Sequence, residues 1–440
     1  MPSSPALVDA SNAVPVQKGT YVEPRTRLTP LRFTVLLLGA CLFLERFGLP
    51  FGGASISLVG PIGVALAAYG LAQGTLSLHR GRLTIYLILV ALAVMGAAWE
   101  AVHPNSFGVP PIWSSLAQFL VLTGFATLSF AEELDEAVFF HAINRLLAII
   151  AIAGILQFAL QFVGLGLFAF TGLLPAGILY ENGWNLQIPV GIGSILKSNG
   201  FFLVEPSVFS QFMGIGLIIE ALTLRRVRFL ALFALGLLLS FSGTGWIILL
   251  GFGATAFVGL GRRGLVIGLG ALLILAFAFG AMMVLAPEFA AAFSDRVAEF
   301  QTPGTSAHLR FITPFWLLQD VLAREPSALF VGIGAGASER LTLPYLFNVN
   351  TPIKIVLEYG VPALAAYVAL FTNARRTRNQ GALLVPGLLW FFVTGGYQQF
   401  PPILFAVLLL LVVARLRPEA AALPIANVTN AAGNRTAARV

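Results

Sequence analysis

The side chains most able to do chemistry here are cations and carboxylates standing where an otherwise apolar chain should not have them. Lys197-Ser198-Asn199-Gly200 runs into Glu205-Pro206-Ser207, which sits a few residues into an apolar stretch. A carboxylate at that depth in a membrane-spanning segment is costly and marks a functional site by default. The proline beside it frees backbone groups that can line a polar cavity. The plainer alternative is a buried acid paired with a neighbouring helix through Lys197 or Arg46. Ser240-Phe241-Ser242-Gly243-Thr244-Gly245 interrupts another apolar stretch. It reads as a tight turn between two short spans, one that also places the Ser242 hydroxyl at a cavity mouth. Asn350, Lys354 and Glu358 then follow at i, i+4 on one helix face. Lys354 and Glu358 at that spacing form a simple intrahelical ion pair, while their depth at the start of a span favours a polar cavity.

Between 287 and 349 lies the one long internal segment too polar for lipid. It carries Asp295, Arg296, Glu299, His308, Arg310, Asp320, Arg324, Glu325, Glu339 and Arg340. Arginine grips phosphate through paired, charge-assisted hydrogen bonds, and several cations together can hold a diphosphate without metal. Arg296, Arg324 and Arg340 have acids at hand with which to pair: Glu288, Asp295, Glu299, Asp320, Glu325 and Glu339. Arg310 has apolar neighbours and no acid at helical spacing, so it is the cation with most to offer a ligand.

Other chemistries lack their residues. There is no DxD, no HExxH, and no phosphate-cradling glycine loop after a strand. The four histidines (His79, His103, His141, His308) do not cluster, so no metal site and no cofactor is expected. Gly332, Gly334 and Gly336 punctuate a loop. The single cysteine, Cys41, excludes an internal disulfide.

The elements that must position these residues are membrane helices. The chain is 58% hydrophobic and 10% charged, with 45 Gly and 37 Phe, a composition foreign to soluble domains. Its apolar blocks run to roughly 17–25 residues, the length that spans the hydrocarbon as a helix. The expected fold is an all-α polytopic membrane protein with about twelve transmembrane helices. Candidate spans are roughly 31–48, 54–76, 82–102, 112–130, 144–164, 202–223, 228–241, 244–261, 264–286, 350–371, 382–396 and 401–416. Residues 1–30 and 418–440 read as disordered tails, 31–286 as helices one to nine, 287–349 as the large loop, and 350–417 as the last three helices.

The net charge of +7 raises the prospect of nucleic acid, but the basic residues cluster at the ends of apolar runs, which is a topological signal. With both termini in the cytoplasm, every short inside connection carries an arginine, including Arg80, Arg82, Arg145, Arg225, Arg226 and Arg228. Arg46, Lys197, Arg296, Arg310, Arg324, Arg340 and Lys354 fall outside or at outer helix ends. Within the loop, Phe289, Phe293, Val297 and Phe300 recur at helical spacing, as do Leu309, Ile312, Phe315, Trp316 and Leu317. Both runs read as amphipathic helices on or near the membrane surface.

The order of these features resembles the O-antigen ligase / Wzy-type polysaccharide polymerase superfamily over about residues 190–365. The matching elements are Lys197-x-x-Gly200 with Glu205-Pro206-Ser207, then Ser240-x-Ser242-Gly243, then Arg310 with Trp316 and Gly332-x-Gly334, and last Asn350 with Glu358-x-Gly360. Lys197 stands where the family usually has arginine, and Val349 where it has histidine. The resemblance implies a metal-independent, inverting glycosyltransferase of the bacterial inner membrane, with its active site periplasmic. It would join undecaprenyl-diphosphate-linked oligosaccharides into a polysaccharide, in the company of a flippase and a chain-length regulator. In that scheme Lys197 and Arg310 neutralise the diphosphate leaving group. Glu205, or else His308, serves as base, and Asn199, Ser207, Ser242, Arg296, Asn350, Lys354 and Glu358 line the substrate site. The missing histidine tilts the reading from ligase to polymerase. Two rivals of other classes stand beside it: a twelve-span transporter and a non-catalytic assembly protein.

Overall fold

The computed structural model describes residues 28–51, 54–167, 169, 174–180, 187–190, 194–260, 298–393 and 401–418, with isolated positions between 280 and 291. Among these residues α-helix dominates. The helices are α1 (Pro30–Phe43), α2 (Val59–Ala72), α3 (Arg80–Val102), α4 (Trp113–Gly124), α5 (Glu136–Leu160), α6 (Pro206–Leu222), α7 (Val227–Leu239) and α8 (Thr244–Leu260). Three short helices of the polar loop follow: α9 (Ser306–Phe311), α10 (Thr313–Arg324) and α11 (Ala328–Val331). The last are α12 (Thr351–Thr372), α13 (Arg378–Val393) and α14 (Pro401–Leu408). Short two-stranded pairs close some connections, such as Leu76–Leu78 antiparallel to Leu128–Phe130.

Every expected apolar segment holds a helix except 264–286, of which all but Gly280, Met283 and Val284 lie outside the described residues. Among the described residues three helices are long and apolar enough to cross a membrane: Arg80–Val102, Glu136–Val163 and Thr351–Thr372, of 23, 28 and 22 residues. Spanning the hydrocarbon takes about 20 residues. Six more apolar helices are shorter, among them Pro206–Leu222 and Val227–Leu239. Such helices mark a membrane protein. The helical run Phe289, Phe293 and Val297, and the tails before residue 28 and after 418, lie outside the described residues.

Local sequence sets the helix starts that matter. Asp135 caps α5 by accepting from the N–H of Ala137 and Val138 (2.9 and 3.2 Å), which satisfies donors the helix itself leaves orphaned. Asn350 caps α12 the same way, accepting from the Ile353 N–H at 3.2 Å, with Pro352 in the first turn. Glu205 is not inside a helix, as the apolar run had suggested. It is the extended residue immediately before α6, because Pro206 at the first helical position disfavours helical backbone in the residue preceding it.

The feature with most consequence is a break inside α12. Gly360 adopts φ 83°, ψ 169°, and Pro362 follows it. The carbonyls freed by such a break need donors, and one of them, Leu357 O, accepts from the Ile333 N–H at 2.6 Å. The chain after α11 therefore crosses the break backbone to backbone. A Cβ on Gly332 (φ 77°) would stand 2.2 Å from the Glu358 carbonyl carbon, and one on Gly360 would stand 2.3 Å from Phe330 O. Neither position has room for a side chain.

Two apolar cores result. The larger runs through the helix bundle. The smaller lies under the loop, where Leu317 and Val321 of α10 meet Ile333, Val349, Ile353 and Leu357. Phe315 and Trp316, on the other side of α10, are exposed, as expected of an amphipathic surface helix. Val349, at the position where the family pattern has histidine, is a core residue here and takes no part in polar chemistry.

Candidate functional site

Arg310 and Glu205, separated by 105 residues in the chain, meet where α9 lies against the start of α6. Arg310 Nη2 stands 3.4 Å from Glu205 Oε2, with both side chains mostly buried (14% and 15% exposed). The Ser207 hydroxyl donates to the same carboxylate oxygen at 2.6 Å. Asn350 closes the group, since its Nδ2 donates to the Arg310 carbonyl at 3.4 Å while its Oδ1 caps α12. The Asn348 N–H adds a 3.1 Å bond to Leu309 O. Asn350 thus serves the backbone on both sides and positions Arg310.

The approach to Glu205 is held from α1. Arg46 donates through Nε and Nη2 to Leu203 O (2.9 and 2.6 Å), and Glu45 accepts from the Val204 N–H at 3.3 Å. Arg46 thus grips the chain two residues before Glu205, at a carbonyl. Behind Glu205, the turn between α7 and α8 binds back to α6. The Thr244 hydroxyl donates to Ser207 O at 3.0 Å and contacts Ser210 Oγ at 2.8 Å and Ser242 Oγ at 3.2 Å. Ser242 is therefore joined to the Glu205 group through Thr244.

A second polar group lies one turn further along α12. Lys354 (1% exposed) pairs with Glu358 (0%) at 3.5 Å, the i, i+4 pair expected from the sequence, and also with Glu339 of the loop. The Ser338 hydroxyl donates to Glu358 Oε1 at 2.5 Å. Buried ions cost several kcal/mol each unless paired, and this arrangement supplies the pairing from both helix and loop.

Lys197 belongs to a third group. Its segment lies along α5, where Gln161 exchanges two bonds with Leu196 (2.8 and 2.9 Å). One turn earlier, Gln157 Oε1 accepts from Ser198 Oγ, the Asn199 N–H and the Phe201 N–H (3.1, 3.2 and 3.3 Å). Lys197 and Asn199 are both buried, and Asn199 Nδ2 has no hydrogen-bond partner. Among the described residues no hydrogen bond or ion pair links Lys197 to Glu205 or Arg310. Gln157→Leu removes all three acceptor contacts at once. Amide hydrogen exchange at Asn199 should then quicken by about tenfold or more, with exchange along α5 unchanged, while the Phe201 N–H keeps its 3.2 Å bond to Asn199 Oδ1; unaltered protection at Asn199 would refute the clamp.

His308 is buried at the edge of the first group, its Nδ1 without a partner and its ring edge-on to Trp316 at 5.2 Å between centroids. It shares no hydrogen bond with Glu205 or Arg310 among the described residues. Arg296 lies outside the described residues.

The expected acid pairing of the other loop arginines does not occur among the described residues. Arg324 instead stands 5.4 Å from the Phe107 ring centroid, and Arg340 donates to Gly336 O and Pro110 O. The acids have other partners: Glu325 accepts from the Ser106 N–H (2.6 Å) and Asp320 from the Tyr345 hydroxyl (2.6 Å). Burial, then the hydrogen bond to Asp320, holds the Tyr345 hydroxyl above the usual phenol range. Among the described residues no three His, Cys, Asp or Glu side chains gather as metal ligands would.

Sequence reasoning missed Gln157, Gln161 and Ser338, and gave Glu339 to an arginine rather than to Lys354. The two glutamines had a signal, being amides one helical turn apart inside an apolar run. Ser338 and the pairing of Glu339 had none, since a loop fold brings both residues to α12.

The site joins a guanidinium, a carboxylate and a hydroxyl at the seam between the polar loop and the apolar helices. Such a set can hold an anion and accept a proton from a nearby hydroxyl. Comparison with protein-family models, with curated proteins and with solved structures finds no match.

Proposed function

We propose that this protein is a polytopic inner-membrane glycosyltransferase that joins undecaprenyl-diphosphate-linked oligosaccharide repeat units into a polysaccharide at the periplasmic face, through about twelve membrane spans. The observation that carries the reading is the Arg310–Glu205 contact. It closes the polar loop over the start of an apolar helix, and it pairs the residue type that stabilises a departing diphosphate with the type that takes up a hydroxyl proton. In the reaction, a sugar hydroxyl of the acceptor attacks the anomeric carbon of the donor. The new glycosidic bond forms as the bond to the diphosphate breaks, with inversion. Glu205 takes the hydroxyl proton. Arg310 leaves the carboxylate for the diphosphate and balances its charge. Ser207 steadies the carboxylate in both states.

A second reading draws on the break in α12. Discontinuous helices with buried charges, here Gly360 beside Lys354 and Glu358, also build the binding sites of transporters. One experiment separates the readings: the polysaccharide profile of a strain lacking the protein. A polymerase leaves single lipid-linked repeat units and no long polymer, whereas a ligase leaves polymer that is not joined to its acceptor. A transporter leaves lipid-linked material on the cytoplasmic face. Normal polymer, normally attached, would sink the glycosyltransferase reading.

A further inference from the structure

At the end of α6 remote from Glu205 lies a second built cluster, which the proposed reaction does not use. Glu220, fully buried, accepts from the Arg226 N–H, Nε and Nη2 (2.7, 2.9 and 2.9 Å) and from Asn144 Nδ2 (2.8 Å). Arg226 is therefore neutralised. Its guanidinium also lies 3.8 Å over the Phe229 ring, and its Nη1 stands 3.5 Å from His141 Nδ1.

Around this neutral floor stand three cations that are not neutralised. Arg145 follows His141 by one turn of α5, and Arg225 and Arg228 flank Arg226. All three are exposed, and among the described residues none has an ion pair. The nearest acid along α5 is Glu136, at its start, which is buried and accepts from the Thr377 hydroxyl at 3.0 Å; Glu132, Glu133 and Asp135 come before the helix. All precede Arg145 by nine residues or more, about 14 Å along the helix axis, and Asp135 is occupied in capping α5.

Two observations set this cluster apart from a topological charge count. First, Arg225 has φ 51°, in the left-handed region, with its N–H donating to Glu220 O at 2.7 Å. That turn position is the natural place for glycine, and an L side chain there is strained. Satisfying the positive-inside bias does not require arginine at that residue. Second, the heights agree. Arg145 stands at the foot of the apolar stretch 144–164, and Arg225 and Arg228 stand between the stretches 202–223 and 228–241. Arg226 and His141, in contact across α5 and the α6–α7 turn, bring these two boundaries to one level. Lipid phosphates lie at that level of a bilayer.

We propose that Arg145, Arg225 and Arg228 form a binding site for the phosphate of an anionic phospholipid headgroup, with the Glu220–Arg226 pair as its neutral floor. Guanidinium groups suit the ligand because each can give two parallel hydrogen bonds to phosphate oxygens. Three unneutralised cations favour a headgroup with net negative charge over one that carries its own ammonium. The site stands independently of the reaction proposed at Glu205 and Arg310.

The test uses the purified full chain in detergent micelles and reads the unfolding temperature as lipid is added. The probes are dioleoyl-phosphatidylglycerol, dioleoyl-phosphatidylcholine and inorganic phosphate. Phosphatidylglycerol should raise the midpoint by several degrees, with the other two giving less than a third of that shift. Arg145→Gln/Arg225→Gln/Arg228→Gln should lose the shift. Arg225→Gly relieves the left-handed strain, so it should unfold at the same or a higher temperature without lipid yet bind phosphatidylglycerol at least fivefold more weakly. That single variant decides the matter if the triple variant does not fold. An equal shift with phosphatidylcholine, a full shift with inorganic phosphate alone, or undiminished phosphatidylglycerol binding by Arg225→Gly would each overturn the site.

Discussion

Replacing Arg310 by alanine is expected to slow polymer formation by about 10²–10³-fold, the range seen when one preorganised stabiliser of a developing negative charge is removed. Single lipid-linked repeat units should accumulate while the protein stays in the membrane at its normal level. Arg310→Lys should recover little, because an ammonium cannot reproduce the paired hydrogen bonds of a guanidinium. Glu205→Gln makes the complementary case. It keeps the shape and a hydrogen bond to Ser207 but cannot take up a proton, so the rate should fall by about 10²–10⁴-fold. Long polymer of normal length from Arg310→Ala, measured by gel profile of the surface polysaccharide, would refute the role given to this contact.

The second large effect is one of stability. Lys354→Ala takes the cation from Glu358, which is fully buried, and removes one partner of Glu339. Breaking a buried pair by removing one member costs about 3–5 kcal/mol, so the variant should unfold at much lower denaturant or be degraded in cells. The triple change Lys354→Met, Glu358→Gln and Glu339→Gln removes the charges together and should restore much of the loss, since no uncompensated charge then stays buried. If Lys354→Ala alone unfolds at the wild-type midpoint, the pair carries no stability. If the triple variant is stable but makes no polymer, the cluster serves the reaction as well as the fold.

How much of this was legible beforehand differs by residue. The apolar runs announced nearly every helix, because 3.6-residue geometry and the need to satisfy backbone groups in lipid leave few alternatives. The Lys354–Glu358 pair could be read from its spacing alone. Arg310 stood out because no local acid could satisfy it, and its partner proved to be the most anomalous carboxylate of the apolar stretches, Glu205. The failures share a cause. Arg324 and Arg340 were assigned acids by proximity in sequence, but loop folding gave those acids to Ser106, Tyr345 and Lys354 instead. Lys197 was grouped with Arg310 by charge, yet the structure ties its segment to Gln157 and Gln161. Local spacing reports helix faces well; it does not report which loop crosses which helix.

The crossing at Gly332 and Gly360 bears on the order in which the chain assembles. Its two strands of backbone are separated by fewer than thirty residues, a loop short enough to close at modest entropic cost. Residues 328–360 can therefore form a helical hairpin as soon as they emerge from the ribosome, before α13 and α14 exist. Lys354 then enters the bilayer already beside Glu358, which spares the nascent chain an isolated charge in hydrocarbon. Arg310 is tied to this hairpin through Asn350, whereas Glu205 waits in the first half of the protein. Meeting Glu205 is thus a late event of biogenesis, and a chain stalled before α12 would hold both Arg310 and Glu205 without the Asn350 contact that positions the arginine.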